Sequence, residues 1–230
     1  MTRINKINET TYTLEEDGVR FFLLIGDTKA CMIDTGMNSA NAKEIGESIT
    51  DKEIILINTH GDPDHISGND GFDEVYLNEE EIENYQLYNT KETKFKYLHN
   101  NETIDLGNRP LKIIFLQGHT PGSIAILDVN NKILISGDSI QDGKIFMFGK
   151  IRNINLYNKT LKDLWNNHSN EFETIYPSHG SLPVKKGLIE KLIDGSNQII
   201  SGNIKGEIID FHGHKIKYVD LGYAGFLLDK

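Results

Sequence analysis

Asn58-Thr59-His60-Gly61-Asp62-Pro63-Asp64-His65 sets two imidazoles and two carboxylates directly behind the apolar run Ile54-Ile55-Leu56-Ile57. The run reads as a short buried strand, because it is apolar and β-branched and is stopped by turn formers. Pro63 fixes its own φ and pushes Asp62 towards an extended backbone, which predicts a loop held open rather than coiled into helix. A strand that fires into such a loop aims several metal-ligand groups at one point. The stretch therefore predicts a metal-binding loop at the carboxyl end of a strand.

Upstream, Val19–Ile25 and Lys29–Ile33 read as a hairpin turning at Gly26-Asp27-Thr28 and ending in Asp34-Thr35-Gly36. Asn38 or Ser39 is placed to cap a helix carrying Ala42, Ile45 and Ile49 on one face. Downstream, residues 79–88 suit a helix with an acidic first turn, and residues 90–101 read as a polar surface excursion. A second half then echoes the first. Residues 112–116 form a strand that ends in Gln117-Gly118-His119-Thr120-Pro121-Gly122-Ser123. A hairpin over 124–127 and 132–135, turning at Asn130-Asn131, ends in Ser136-Gly137-Asp138-Ser139. Asp34 and Asp138 both stand just past a hairpin, which predicts two pseudo-symmetric halves with the site on their seam.

Further on, Phe146-Met147-Phe148 is an apolar run that suits core or pocket lining. A helix is expected over 155–166, with Leu156, Leu161, Leu164 and Trp165 inward. Thr174–Pro177 is a short strand ending in Ser178-His179-Gly180, and Pro183 is placed to open a last helix carrying Val184, Leu188 and Leu192. The tail, 207–228, alternates as two or three edge strands would.

A length of 230 residues and 38% apolar content suit one α/β domain spanning 1–230. A net charge of −10 argues against a phosphate-backbone ligand, so no nucleic-acid partner is expected. Cys31 is the sole cysteine, which rules out an intrachain disulfide or a thiolate metal cluster. Residues 1–16 lack the apolar core of a signal peptide, and no run is long enough to span a bilayer; the expected location is cytoplasmic, with no membrane partner. The sequence carries no signal for oligomeric state.

His60 with Asp62, Asp64 with His65, His119, Asp138 and His179 share one context, the carboxyl end of a predicted strand beside Gly, Pro or Ser. Strand ends on one edge of an α/β sheet are where side chains from separate strands converge on a ligand. Imidazole with carboxylate suits zinc, iron or manganese.

These residues resemble the metallo-β-lactamase superfamily of metal-dependent hydrolases. Its His-x-His-x-Asp-His loop corresponds to His60-Gly61-Asp62-Pro63-Asp64-His65, and its later ligands fall on His119 in Gly118-His119-Thr120-Pro121-Gly122, on Asp138 and on His179. Asp34-Thr35-Gly36 matches a usual upstream element. The resemblance implies an α/β (α+β) fold, a four-layer αβ/βα sandwich with two sheets face to face. It implies two divalent metal ions, zinc first, with iron or manganese as alternatives. One ion takes His60, Asp62 and His119; the other takes Asp64, His65 and His179; Asp138 bridges. A hydroxide held between the ions would attack an ester, thioester, lactone, amide or phosphoester of a small substrate, with Asp64 as proton relay.

Asp62 departs from the family pattern, standing where the second His is usual. Three carboxylates and a hydroxide balance two divalent cations, which implies a weaker Lewis acid and a shift from zinc towards iron or manganese. Asp34 fits either a turn cap or a residue orienting a ligand. Phe146, Phe148 and Arg152 are the candidate substrate contacts. Two other functions stay open: an iron-dependent oxidoreductase on the same fold, favoured by Asp62, and a metal-binding protein without turnover.

Overall fold

The computed structural model describes residues 2–38 and 41–230. The chain opens with four antiparallel strands, β1 (Arg3–Asn8), β2 (Thr11–Glu16), β3 (Val19–Ile25) and β4 (Lys29–Ile33). Helix α1 (Ala42–Ile49) crosses to β5 (Glu53–Ile57), which runs parallel to β4. Asn41 occupies the N-cap of α1 without a side-chain cap bond, while Asn38 donates to Asp17 and Glu16 instead. Ser39, the other expected cap, lies outside the described residues.

After β5 the chain does coil. α2 (Pro63–Ile66) is one helical turn with Pro63 in its first position and Asp62 extended before it. The expectation of a loop held free of helix is corrected: the extended residue before proline is also the geometry of an N-cap, so the same restriction starts a helix. Next come β6 (Glu74–Leu77), a 3₁₀ turn at Glu79–Glu81, α3 (Ile82–Tyr88) and β7 (Lys94–Tyr97). The supposed surface excursion thus contains a strand, paired in parallel with β6.

The second half holds β8 (Thr103–Asp105), β9 (Pro110–Phe115), β10 (Ile124–Asp128), β11 (Ile133–Gly137), β12 (Lys144–Met147), α4 (Ile154–His168), β13 (Thr174–Pro177) and β14 (Val184–Lys185). Helix α5 (Gly187–Ile200) then leads to β15 (Glu207–Phe211), β16 (His214–Asp220) and β17 (Gly225–Leu228). Pro183 does not open a helix. It leads into β14, where Val184 pairs with Ile175, and α5 starts at Gly187.

Among the described residues the strands form three sheets: β1 to β7 in sequence order, β14-β13-β11-β10-β9-β8, and β12-β17-β16-β15. The tail strands are therefore not edges of the two main sheets. With β12 they build a third sheet.

Alternation along the strands makes the layers. Phe22 and Leu24 of β3, Cys31 and Ile33 of β4, and Ile55 and Ile57 of β5 meet Ile113, Ile124, Ile126, Ile133 and Ile135 in the space between the two large sheets. Their neighbours Phe21, Leu23, Met32 and Leu56 turn the other way, onto Ala42 of α1 and Tyr85 of α3. On the far side Ala125, Leu127 and Leu134 pack against Leu161 and Leu164 of α4, Leu192 of α5, and Ile145 and Phe226 of the third sheet. Helix, sheet, sheet, helix is the four-layer sandwich that the sequence implied, and the hairpin-plus-parallel-strand unit recurs as β3-β4-β5 and β10-β11-β13.

Candidate metal centre

Within each large sheet the donor groups follow strands that share a direction. β4 runs parallel to β5 and β11 to β13, and β9 shares the direction of β11 through the antiparallel β10 between them. Asp34 follows β4, His60 to His65 follow β5, His119 follows β9, Asp138 follows β11 and His179 follows β13. All seven predicted ligands meet on the seam between the halves.

The four histidines share one arrangement. Each Nδ1 faces an acceptor: Thr59 Oγ1 for His60 at 3.0 Å, Asp34 Oδ2 for His65 at 2.8 Å, the Phe146 carbonyl for His119 at 3.0 Å, and the Gly18 carbonyl for His179 at 2.9 Å. A proton on Nδ1 satisfies each of these contacts, and the Thr59 hydroxyl can then donate onward to Asp34 Oδ2 at 2.7 Å. That leaves four Nε2 lone pairs converging on the carboxylates, the tautomer a metal-ligating imidazole adopts. Asp34 is thus more than a turn cap. It sits at φ 63°, takes the Thr59 N–H at 2.7 Å as well, and fixes both His60 and His65.

The donor spacing fits divalent cations. His60 Nε2 and His119 Nε2 are 3.3 Å apart, and Asp62 Oδ2 lies 3.5 and 3.4 Å from them. On the other side Asp64 Oδ2 is 3.6 Å from His65 Nε2 and 3.1 Å from His179 Nε2. Asp138 reaches both sets: Oδ1 is 3.3 Å from His65 Nε2, and Oδ2 is 3.4 Å from His179 Nε2 and 3.8 Å from His119 Nε2. Bonds of about 2.0–2.2 Å to a tetrahedral ion set neighbouring donors about 3.3–3.6 Å apart. His65 Nε2 and Asp138 Oδ1 are buried without a hydrogen-bond partner, which is costly unless something else binds them. The residues fit a cation on each side of Asp138.

Electrostatics agree. Burial disfavours charge on His65 and His179, yet the carboxylates overcome it: Asp64, Asp138 and Asp34 hold His65 well above its usual value, and Asp138 with Asp64 raises His179 to about 10. Asp138 and Asp64 are lowered against burial by the same histidines. Protons here do what a cation would do in their place. His119 goes the other way, lowered by burial and by Arg152, so its imidazole stays neutral.

Arg152 is where the sequence-based reading needs correcting. It was a candidate anchor for substrate, but its Nη2 donates to Asp62 Oδ2 at 2.6 Å and its Nη1 to the His119 carbonyl at 2.6 Å. Only 11% of its side chain is exposed. Burial would raise the Asp62 carboxyl, but His60, His119 and Arg152 hold it well below the usual range. The charge count based on three carboxylates alone omitted this guanidinium, which returns one positive charge. Phe148 is not among the residues lining the metal-facing cavity; it packs on Phe146 and Phe211 at 5.6 and 6.3 Å between centroids. Phe146 itself lines a cavity of about 400 Å³ with Asp62, Asp64, Asp138, Lys144 and His179.

Sequence reasoning missed the residue that holds the two ligand loops together. Glu81, fully buried, accepts from the Gly61 N–H at 2.9 Å and Asn84 Nδ2 at 2.6 Å through Oε1. Through Oε2 it accepts from Thr120 Oγ1 at 2.7 Å and the Gly122 N–H at 2.8 Å. The His60 loop and the His119 loop are therefore joined by one carboxylate. Glycine is needed at both contacts, since a Cβ on Gly122 would stand 2.6 Å from the Glu81 nitrogen and one on Gly61 2.8 Å from that of Tyr85. Asn84 also donates to Asp62 Oδ1 at 3.0 Å. In the sequence Glu81 is the third of three glutamates opening a helix, and nothing local marks it out.

Comparison with known proteins gives a consistent picture. A sequence model described as the Metallo-beta-lactamase superfamily matches residues 15–179. The Beta-lactamase-like protein 2 homolog of Caenorhabditis elegans is 26% identical over 216 residues, covering 90% of this chain and 68% of its own. The human Acyl-coenzyme A thioesterase MBLAC2 is 24% identical over 214 residues, covering 76% of this chain and 71% of its own. Among solved structures, a metallo-beta-lactamase from Pontibacter korlensis superposes with a TM-score of 0.71 at 17% identity, over 86% of this chain and 99% of that one. The sec-alkylsulfatase Pisa1 from Pseudomonas sp. does so with a TM-score of 0.72 at 11% identity, over 89% of this chain and 44% of that one. At such identities the structural likeness speaks for the fold.

Proposed function

The chain belongs to the metallo-beta-lactamase superfamily, and on that footing we propose that it is a dinuclear metal hydrolase of small thioesters, a single domain over 1–230 that works in the cytoplasm. No described helix is long and apolar enough to cross a membrane. The observation that carries the metal reading is the set of four histidines whose Nδ1 atoms are engaged outward while their Nε2 atoms face three carboxylates. The thioester is favoured over the ester, lactone, amide and phosphoester by the name of the human relative, an acyl-coenzyme A thioesterase.

His60, Asp62 and His119 would hold one cation and Asp64, His65 and His179 the other, with Asp138 shared. When bound, such ions supply Lewis acidity and acidify water; zinc is the proposed metal. The rest of the work belongs to the chain. Asp34 and Thr59 keep His60 and His65 in the Nε2-facing tautomer. Arg152 offsets the charge of Asp62, so that a third carboxylate does not quench the site's positive potential. Phe146 gives the cavity an apolar wall for the acyl chain. Asp64, 21% exposed at the cavity wall, takes the proton of the attacking water on a carboxylate oxygen and passes it to the departing thiolate. The carbon–sulfur bond breaks, releasing a carboxylic acid and a thiol.

Release of free thiol from short- and medium-chain acyl-coenzyme A, by protein loaded with two equivalents of zinc, tests the reading. Turnover abolished in Asp64→Asn supports it. No thiol release across that panel refutes it.

A further inference from the structure

Beside the metal-facing cavity lies a larger groove of about 800 Å³, and the two share Gly143 and Lys144 as walls. Its sides come from the third sheet and from the segment joining β14 to α5. Lys144, Lys185 and Lys191 line it together with Tyr218, Tyr223 and Leu188. Among the described residues none of the three makes an ion pair with a carboxylate, and the three stand together around one concavity. Two of them instead lie over aromatic rings, Lys144 Nζ at 5.6 Å from the Tyr218 centroid and Lys191 Nζ at 5.5 Å from that of Tyr223.

The groove also holds two carboxylates, and each accepts a backbone N–H. Asp142 Oδ1 accepts from the Ser181 N–H at 2.8 Å, and Asp220 Oδ1 from the Gly222 N–H at 2.7 Å. In a chain of net charge −10, a concavity lined by three lysines against two carboxylates is a locally positive site. The Tyr218 and Tyr223 rings in the lining suit contact with a flat heterocycle.

The geometry points to this groove as the binding site for the phosphate-bearing nucleotide end of a coenzyme A thioester, with the acyl end in the metal-facing cavity. The inference rests on the thioesterase reading for its acyl end, while the groove's own chemistry is that of a polyphosphorylated nucleotide. The volume suits such a ligand, since sites for small molecules and cofactors run to about 300–1,000 Å³. Gly143 and Lys144, common to both cavities, are where the connecting arm of the carrier would pass.

The experiment compares two substrates with one acyl group: the coenzyme A thioester and the N-acetylcysteamine thioester, which lacks every phosphate. In Lys185→Glu/Lys191→Glu the KM for the coenzyme A thioester should rise at least tenfold with kcat within about twofold. Kinetics on the N-acetylcysteamine thioester should not change. Adenosine 3′,5′-bisphosphate should bind the wild-type protein by calorimetry, weaken with added salt, and fail to bind the double variant. Equal kinetics of wild type and variant on both substrates would overturn the inference, as would no binding of the bisphosphate. Should neither thioester be hydrolysed, the thioesterase reading fails, yet bisphosphate binding that vanishes in the double variant still supports the groove as a nucleotide site.

Discussion

Replacing Glu81 by Gln removes one acceptor oxygen from a buried carboxylate that four donors share. Gly61 N–H and Asn84 Nδ2 meet one oxygen, Thr120 Oγ1 and Gly122 N–H the other, at 2.6–2.9 Å. Whichever way the amide turns, its NH₂ group faces two donors. Two hydrogen bonds to a charged group are lost, each worth about 1.5–3 kcal/mol, so the expected cost is about 3–6 kcal/mol. At roughly 2–4 °C per kcal/mol for a chain of this size, the melting temperature should fall by about 6–24 °C. The assay is thermal unfolding followed by circular dichroism with excess chelator, and then calorimetric metal titration of the same variant. Metal affinity should drop at least tenfold, because the His60 and His119 loops lose their common tie. Glu83→Gln, an exposed change on the adjoining helix α3, should stay within about 0.5 kcal/mol of wild type. A Glu81→Gln protein that loses less than about 1 kcal/mol and keeps its metal affinity would refute the idea that this carboxylate couples the two loops.

Arg152→Met leaves the buried Asp62 without its guanidinium; we expect metal-free protein to lose about 2–4 kcal/mol in urea unfolding, in line with breaking a largely buried pair, and to be partly rescued by zinc. Arg109→Met should cost about 3–5 kcal/mol, since Arg109 is buried against Asp128 and ties β2 and β3 to the second half through Thr11 and Ile25; a loss below about 1 kcal/mol would contradict that. The raised values of His65 and His179 make metal-free stability fall at alkaline pH. Their charged forms are favoured in the fold, so the contribution is complete below the ordinary value of 6.5 and is lost as pH rises through the raised values, about 10 for His179. Urea midpoints at pH 6, 8 and 10 in chelator should therefore decline, and His179→Gln should flatten the decline.

What could be read in the sequence was what is local. The hairpin β3–β4 has the expected bounds, because its apolar alternation and its Gly26-Asp27-Thr28 turn are written in adjacent residues. The ligand motif was legible for the same reason, as each donor sits beside the strand that aims it. Pro63 and Pro183 misled in opposite senses, one opening a helical turn and the other leading into a strand, since a fixed φ near −65° suits both. The third sheet was hidden because it joins β12 to β17 across some eighty intervening residues. Arg152 lies 90 residues from Asp62, and Glu81 lies 39 and 41 residues from Thr120 and Gly122. Pairings of that reach come from the closing of the sandwich, and no periodicity records them.

Seven side chains from two halves are proposed to hold two cations, one on either side of Asp138. Metal content of the purified protein, followed by zinc titration of chelator-stripped protein, tests it most directly. Wild type should take up two equivalents per chain, and Asp138→Asn at most one, bound more weakly, with its fold intact by circular dichroism. A wild-type protein that takes up no divalent metal, or an Asp138→Asn protein that still binds two equivalents with unchanged affinity, would contradict it.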